Sequence, residues 1–257
     1  MNGISVLVDV SRCIGCRSCQ VACKQWNQLP AEKTKNRGSF QNPPDLSDKT
    51  YTLIRFNETE EYGKTKWTFI KRQCFHCIDP SCKYSVDEIS KDAIQLHETG
   101  AVLFTERTNQ LGNYDVKSCC PWEIPNKNKE NNQWVKCQFC YDRVSNGLEP
   151  ACVKACPTGT LTFGNRKDIL KLAKTRLNEI VKTHPNASLL DVDDVRWIYL
   201  LHEEESVFNL GMKQKEKYYG LKRLINPINS AWIAAGSLAM LFKWRERGMH
   251  KQESHKP

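Results

Sequence analysis

The chain has 257 residues, 13 of them cysteine, with 40% hydrophobic content and a formal charge of +9. So lean an apolar content at this length suggests inorganic clusters sharing the work of burial, and the C-x2-C spacing at 13/16, 16/19, 74/77 and 137/140 argues against an evenly cross-linked disulfide scaffold. Nucleic-acid binding is set aside, because the lysines are scattered and three oxidised [4Fe–4S] centres would offset about −6 of the charge.

Ile4, Val6 and Val8 alternate, which predicts a strand; the run is too short for a secretory signal, and Cys13 follows at once. Cys13-Ile14-Gly15-Cys16-Arg17-Ser18-Cys19-Gln20-Val21-Ala22-Cys23 then has the spacing C-x2-C-x2-C-x3-C. Such a loop wraps three corners of a cubane, and its fourth cysteine leaves to ligate a different cluster. A partner motif must therefore exist elsewhere.

A polar insertion through Gln41-Asn42-Pro43-Pro44-Asp45 follows. Tyr51–Phe56 and Lys66–Ile70 read as a hairpin around a charged turn at Glu58–Lys64. Next come Cys74, Cys77 and Cys82, with Val86 where a departing cysteine would stand. His76, inside this motif, reads as a loop or surface histidine rather than a ligand. Leu96–Thr105 predicts a hairpin turning at Thr99-Gly100, with Val102 and Phe104 on one face.

In Gln110-Leu111-Gly112-Asn113-Tyr114-Asp115-Val116-Lys117-Ser118-Cys119-Cys120-Pro121, the same template puts Gln110, Asn113 and Val116 at the first three cysteine positions. Cys120, before Pro121, takes the fourth, so the stretch reads as a decayed cluster motif. Cys137 and Cys140, then Cys152 and Cys156-Pro157, form the last motif, with a widened middle gap. Lys167–Lys182 has helical apolar spacing, and Val195–Leu201 reads as a strand. Leu224–Phe242 carries no charge, so it is a candidate transmembrane helix, with an interfacial or partner-packing helix as the alternative.

Pairing the first motif with the last and the second with the third distributes twelve cysteines over three complete sites. Cys13, Cys16, Cys19 and Cys156 make the first. Cys137, Cys140, Cys152 and Cys23 make the second, and Cys74, Cys77, Cys82 and Cys120 the third. Every loss then falls on a fourth site, at Gln110, Asn113, Val116 and Val86, and Cys119 is left over. Structural zinc pairs two C-x2–4-C knuckles, whereas a third cysteine two residues on fits a cubane corner.

Up to about Leu210 the chain resembles the iron–sulfur β subunits of molybdenum- or tungsten-dependent formate dehydrogenases. The cysteine motifs carry this, with Gln41-Asn42-Pro43-Pro44-Asp45, Arg143, Glu149-Pro150-Ala151-Cys152-Val153 and Cys156-Pro157-Thr158-Gly159. It is most similar to the three-cluster β subunits of periplasmic enzymes of sulfate reducers. The resemblance implies an α+β fold of two ferredoxin-like bicluster units, one lacking a cluster, with a C-terminal helix. Residues 1–25 with 132–165 would form the first unit and 26–131 the second. A helical and strand extension at 166–221 and the candidate span at 224–242 would follow. It further implies three [4Fe–4S] clusters and no catalytic residue. The expected partners are a pterin-bound Mo or W catalytic α subunit and a cytochrome. Electron transfer on the periplasmic side of the membrane, after export with the partner, is the expected role. The runner-up is the same role in a sulfur-compound or sulfoxide reductase.

Overall fold

Strand β1 (Ile4–Asp9) is the axis on which the chain is hung. In the computed structural model, which describes residues 3–61, 63–208 and 210, this strand is hydrogen-bonded on both edges. β8 (Leu161–Asn165) lies antiparallel on one side and β10 (Trp197–Leu201) parallel on the other, with β9 (Ser188–Leu190) closing the far edge. The architecture is a mixture of helix and sheet.

The alternation of Ile4, Val6 and Val8 predicts a strand with one buried face, but Val6, Leu7 and Val8 are all buried. The reason is coverage of both faces. Helix α5 (Arg166–Ile180) packs Ile169, Ala173 and Ile180 against Leu7, Ile198 and Leu200 on one face. Trp197 and Tyr199, on alternate positions of β10, are buried as well. The expected helix at 167–182 and strand at 195–201 are both present, within a residue or two at each end.

Two hairpins project from this frame. β2 (Leu53–Glu61) and β3 (Lys64–Arg72) pair from Leu53↔Arg72 to Glu61↔Lys64, with Gly63 at φ +71° in the tight turn. The charged stretch 58–64, expected as a loop, is thus mostly ladder: a two-stranded ribbon tolerates Glu and Lys where its outer end meets solvent. β4 (Ile94–Leu96) and β5 (Val102–Phe104) form the second hairpin, as expected, with Val102 and Phe104 buried. Gly100 stands at φ +89°, and a Cβ there would fall 2.0 Å from Arg196 Nε, so only glycine fits this turn.

Besides three 3-10 turns at Val10–Arg12, Glu106–Leu111 and Glu205–Phe208, the remaining described α-helices and strands are short. They are α1 (Ser18–Trp26), α2 (Ser81–Asp87), the two-residue pair β6 (Asn126–Lys127) and β7 (Trp134–Val135), α3 (Tyr141–Ser145) and α4 (Ala151–Lys154). Helix α1 packs against α4, which brings the first motif to the last. The Cys74–Cys77 loop is stapled to the strand side by an isolated bridge, Cys77↔Val195, and by Ile78 N–H donating to the Asp194 carbonyl at 2.8 Å. Among the described residues no helix is long and apolar enough to cross a membrane. The candidate span Leu224–Phe242 lies outside the described residues.

Candidate metal centres

Each C-x2-C loop must turn sharply enough to point two thiols inward, and a residue between its cysteines does the turning. In the 13/16, 74/77 and 137/140 loops the residue before the second cysteine has positive φ, Gly15 at +69°, His76 at +49° and Phe139 at +60°, while in the 16/19 loop the positive φ falls one residue earlier, on Arg17 at +62°. Left-handed backbone costs a side-chain-bearing residue energy, so His76 and Phe139 must be held there. Their rings stack on each other, with centroids 4.9 Å apart. Their backbone N–H groups donate to the thiols two residues earlier, His76 to Cys74 Sγ and Phe139 to Cys137 Sγ, each at 3.4 Å. Gly15 N–H makes the equivalent bond to Cys13. At Gly15 the turn is also crowded, since a Cβ would sit 3.0 Å from the Phe69 ring.

Cys13, Cys16, Cys19 and Cys156 line one small cavity. Cys23, Cys137, Cys140 and Cys152 line a second. Cysteines far apart in the chain thus exchange places: Cys156 joins the first loop and Cys23 joins the last. In the third set, the thiols of Cys77 and Cys82 interact electrostatically with those of Cys74 and Cys120. The sets also interact electrostatically in sequence, the first with the second through Cys19 and Cys152 and the second with the third through Cys137 and Cys74.

Burial dominates the acid–base behaviour of these thiols. It raises Cys19 and Cys137 to about 12 and Cys120 and Cys140 to about 11, and it drives Cys23, Cys77 and Cys82 upward too. Cys156 is the exception. Burial pushes it up, but the Leu161 N–H and the Thr158 hydroxyl and N–H outweigh that and bring it below the ordinary thiol value. A ring of buried neutral thiols ionises readily only when a metal takes up the charge. All 13 cysteines are free, so the donors a cubane needs are present as thiols. Among the described residues no three Cys, His, Asp or Glu side chains close on a single metal ion. A cubane asks for no such grip, because each thiolate meets its own iron.

The decayed stretch meets a different fate. Val86 and Val116 are fully buried in one apolar cluster with Ala93, Ile94, Val102, Phe104, Leu111 and Trp134. Gln110 and Asn113 are exposed. The loop still turns at Gly112, with φ +54°, the position equivalent to Gly15, although its ψ of −121° lies outside the left-handed helical well. The two valines thus lie in hydrocarbon core and the two polar residues face solvent. The Cys119 Sγ lies 3.2 Å from the Tyr114 hydroxyl.

His76 is not a surface residue, as its place in a loop suggests. It is fully buried, its Nδ1 accepts from Val102 N–H at 3.0 Å, and burial with the nearby Lys136 and Arg196 charges keeps it neutral. Two buried lysines escape a reading based on cysteines. Lys71 lines both cavities. Lys136 donates to the carbonyls of Val102 at 2.5 Å and Cys137 at 3.0 Å. The signal was available: each lysine stands just ahead of a C-x2-C, at Lys71-Arg72-Gln73-Cys74 and Lys136-Cys137.

The family model described as a 4Fe-4S dicluster domain matches residues 65–166. The formate dehydrogenase subunit beta of Megalodesulfovibrio gigas is 46% identical over 79% of this chain and 95% of its own length. The formate dehydrogenase 2 subunit beta (cytochrome c-553) of Nitratidesulfovibrio vulgaris is 45% identical over 83% of this chain and 95% of its own. The nitrate-inducible formate dehydrogenase iron-sulfur subunit of Escherichia coli is 36% identical over 97% of this chain and 87% of its own. Identity at that level, over nearly the whole of each relative, makes this chain a member of the iron–sulfur β subunits of formate dehydrogenases, the electron-transfer components of an oxidoreductase complex.

Proposed function

We propose that this subunit is a three-cluster wire, with the thiol sets holding [4Fe–4S] clusters in the order Cys13/Cys16/Cys19/Cys156, Cys23/Cys137/Cys140/Cys152, then Cys74/Cys77/Cys82/Cys120. The observation that carries this reading is the exchange of departing cysteines, Cys156 into the first cavity and Cys23 into the second. When bound, each cluster supplies a one-electron carrier. The chain's own residues bury the sites, donate N–H groups to the thiols and fix the order of the sets. Two ferredoxin-like bicluster units, 1–25 with 132–165 and 26–131, describe this arrangement, the second having lost one cluster.

One end of the wire takes electrons from a catalytic subunit whose pterin-bound Mo or W acts on formate, and the other passes them to a cytochrome. The relatives' names support both partners, that of the Nitratidesulfovibrio vulgaris subunit including cytochrome c-553. The site of action is the periplasmic side of the cell membrane. The match to the Escherichia coli subunit runs over 97% of this chain, so it takes in the uncharged run 224–242, which would anchor the complex. The test is anaerobic purification of the complex through a tag on this chain. Formate should reduce all the clusters, and Cys120→Ala should leave the first two reducible while electron delivery to the acceptor falls at least tenfold. Retention of full delivery in that variant would overturn the order of the wire.

A further inference from the structure

Lys71 stands where the first two thiol sets meet. It lines both cavities, is 2% exposed, and lies near the end of β3. Its ammonium donates to Thr52 Oγ1 at 2.7 Å and to Gln73 Oε1, and it sits 4.6 Å from the centroid of the Trp197 ring. The backbone around it is pinned too: Tyr199 Oη donates to the Lys71 carbonyl at 2.7 Å and accepts from Gln73 Nε2 at 3.0 Å. These partners are neutral oxygens and an aromatic face, which fix the ammonium without cancelling its charge.

A buried cation is costly unless negative charge stands near it. Lys71 shares the first cavity with Cys19 and the second with Cys23, Cys137 and Cys152. With about −2 on each oxidised cluster, the cation has its counter-charge on two sides. An added electron on either side is then stabilised through the low-dielectric interior.

We propose that Lys71 is a fixed cation shared by the first two clusters, raising both reduction potentials together and keeping the electron step between them close to level. The inference rests on the assignment of thiol sets to clusters made above. Lys71 keeps its proton throughout, so one electron passes and no bond forms or breaks. The third cluster is served by Lys136 instead, whose charge acts on Cys77, Cys82 and Cys120.

The experiment is a potentiometric titration of the anaerobically purified complex followed by EPR, for the native chain, Lys71→Met and Lys71→Gln. Cys120→Ala identifies the signal of the third cluster. With iron content unchanged, both neutral variants should lower the midpoint potentials of the first and second clusters by about tenfold in the reduction equilibrium, about 59 mV for one electron. The third should stay in place. Unshifted potentials, or equal shifts in all three clusters, would overturn the proposal. Loss of iron from both variants would also overturn it, by making Lys71 a structural counter-ion. A native chain that does not hold about twelve iron would instead defeat the cluster assignment beneath it.

Discussion

The two halves of the cysteine framework can be laid on one spacing template, yet they are filled differently. Around Lys71, two thiol sets face each other across a buried cation, and Cys23 and Cys156 trade places between them. Around Val86, the matching arrangement keeps one thiol set and fills the other position with valine, leucine and tryptophan. Gly112 keeps a positive φ, as Gly15 does, but its ψ of −121° lies outside the left-handed helical well. The difference teaches that the loop can keep its glycine while its backbone changes where no thiol set stands. A cluster's share of the cohesion can be taken over by apolar burial, provided the template's ligand positions pack or reach water.

Removing the iron should separate the halves most sharply. Chelation under oxidising conditions should strip amide-exchange protection from α1 and α4 while the amides of Ile94, Val102 and Phe104 exchange far more slowly. Uniform loss across both regions would mean that the apolar cluster cannot stand without its neighbouring thiol set. Next in size is Leu111→Ala, which opens a cavity in the filled half and should cost about 2–5 kcal/mol of stability. Iron content should be unchanged, and a thermal melt with iron analysis reads both quantities. A loss of iron in that variant would tie the apolar cluster to ligation of the third set.

Much of this contrast was legible from spacing. Spacing proposes three complete thiol sets, and it puts Val86 and Val116, both buried in the apolar cluster, where a fourth set would need cysteines. Spacing could not show that Leu7 is buried along with Val6 and Val8, because the helix that covers its face of β1 arrives from residues 166–180. Nor could it place His76, whose loop position suggests exposure while its ring is stacked on Phe139 from another motif. Lys71 was hardest to see. Charged residues are expected outside, and only the fold brings Cys19, Cys23, Cys137 and Cys152 around one ammonium.

The smallest effect is expected at Cys119. Its thiol meets the Tyr114 hydroxyl and takes no place in a thiol set, so Cys119→Ala should change stability by no more than about 0.5 kcal/mol. EPR spectra of that variant should overlay those of the native protein. A missing signal would move the third set's register by one residue, from Cys120 to Cys119.

The central claim is that three clusters, and not four or two, occupy this chain. Anaerobic purification of the complex, followed by iron and acid-labile sulfide analysis corrected for the catalytic subunit, tests it directly. The account predicts about twelve iron and about twelve sulfide in this subunit. A reproducible value near sixteen would mean that a cluster occupies the site now read as apolar core. A value near eight would mean that one of the three thiol sets never fills, and either result would contradict the account.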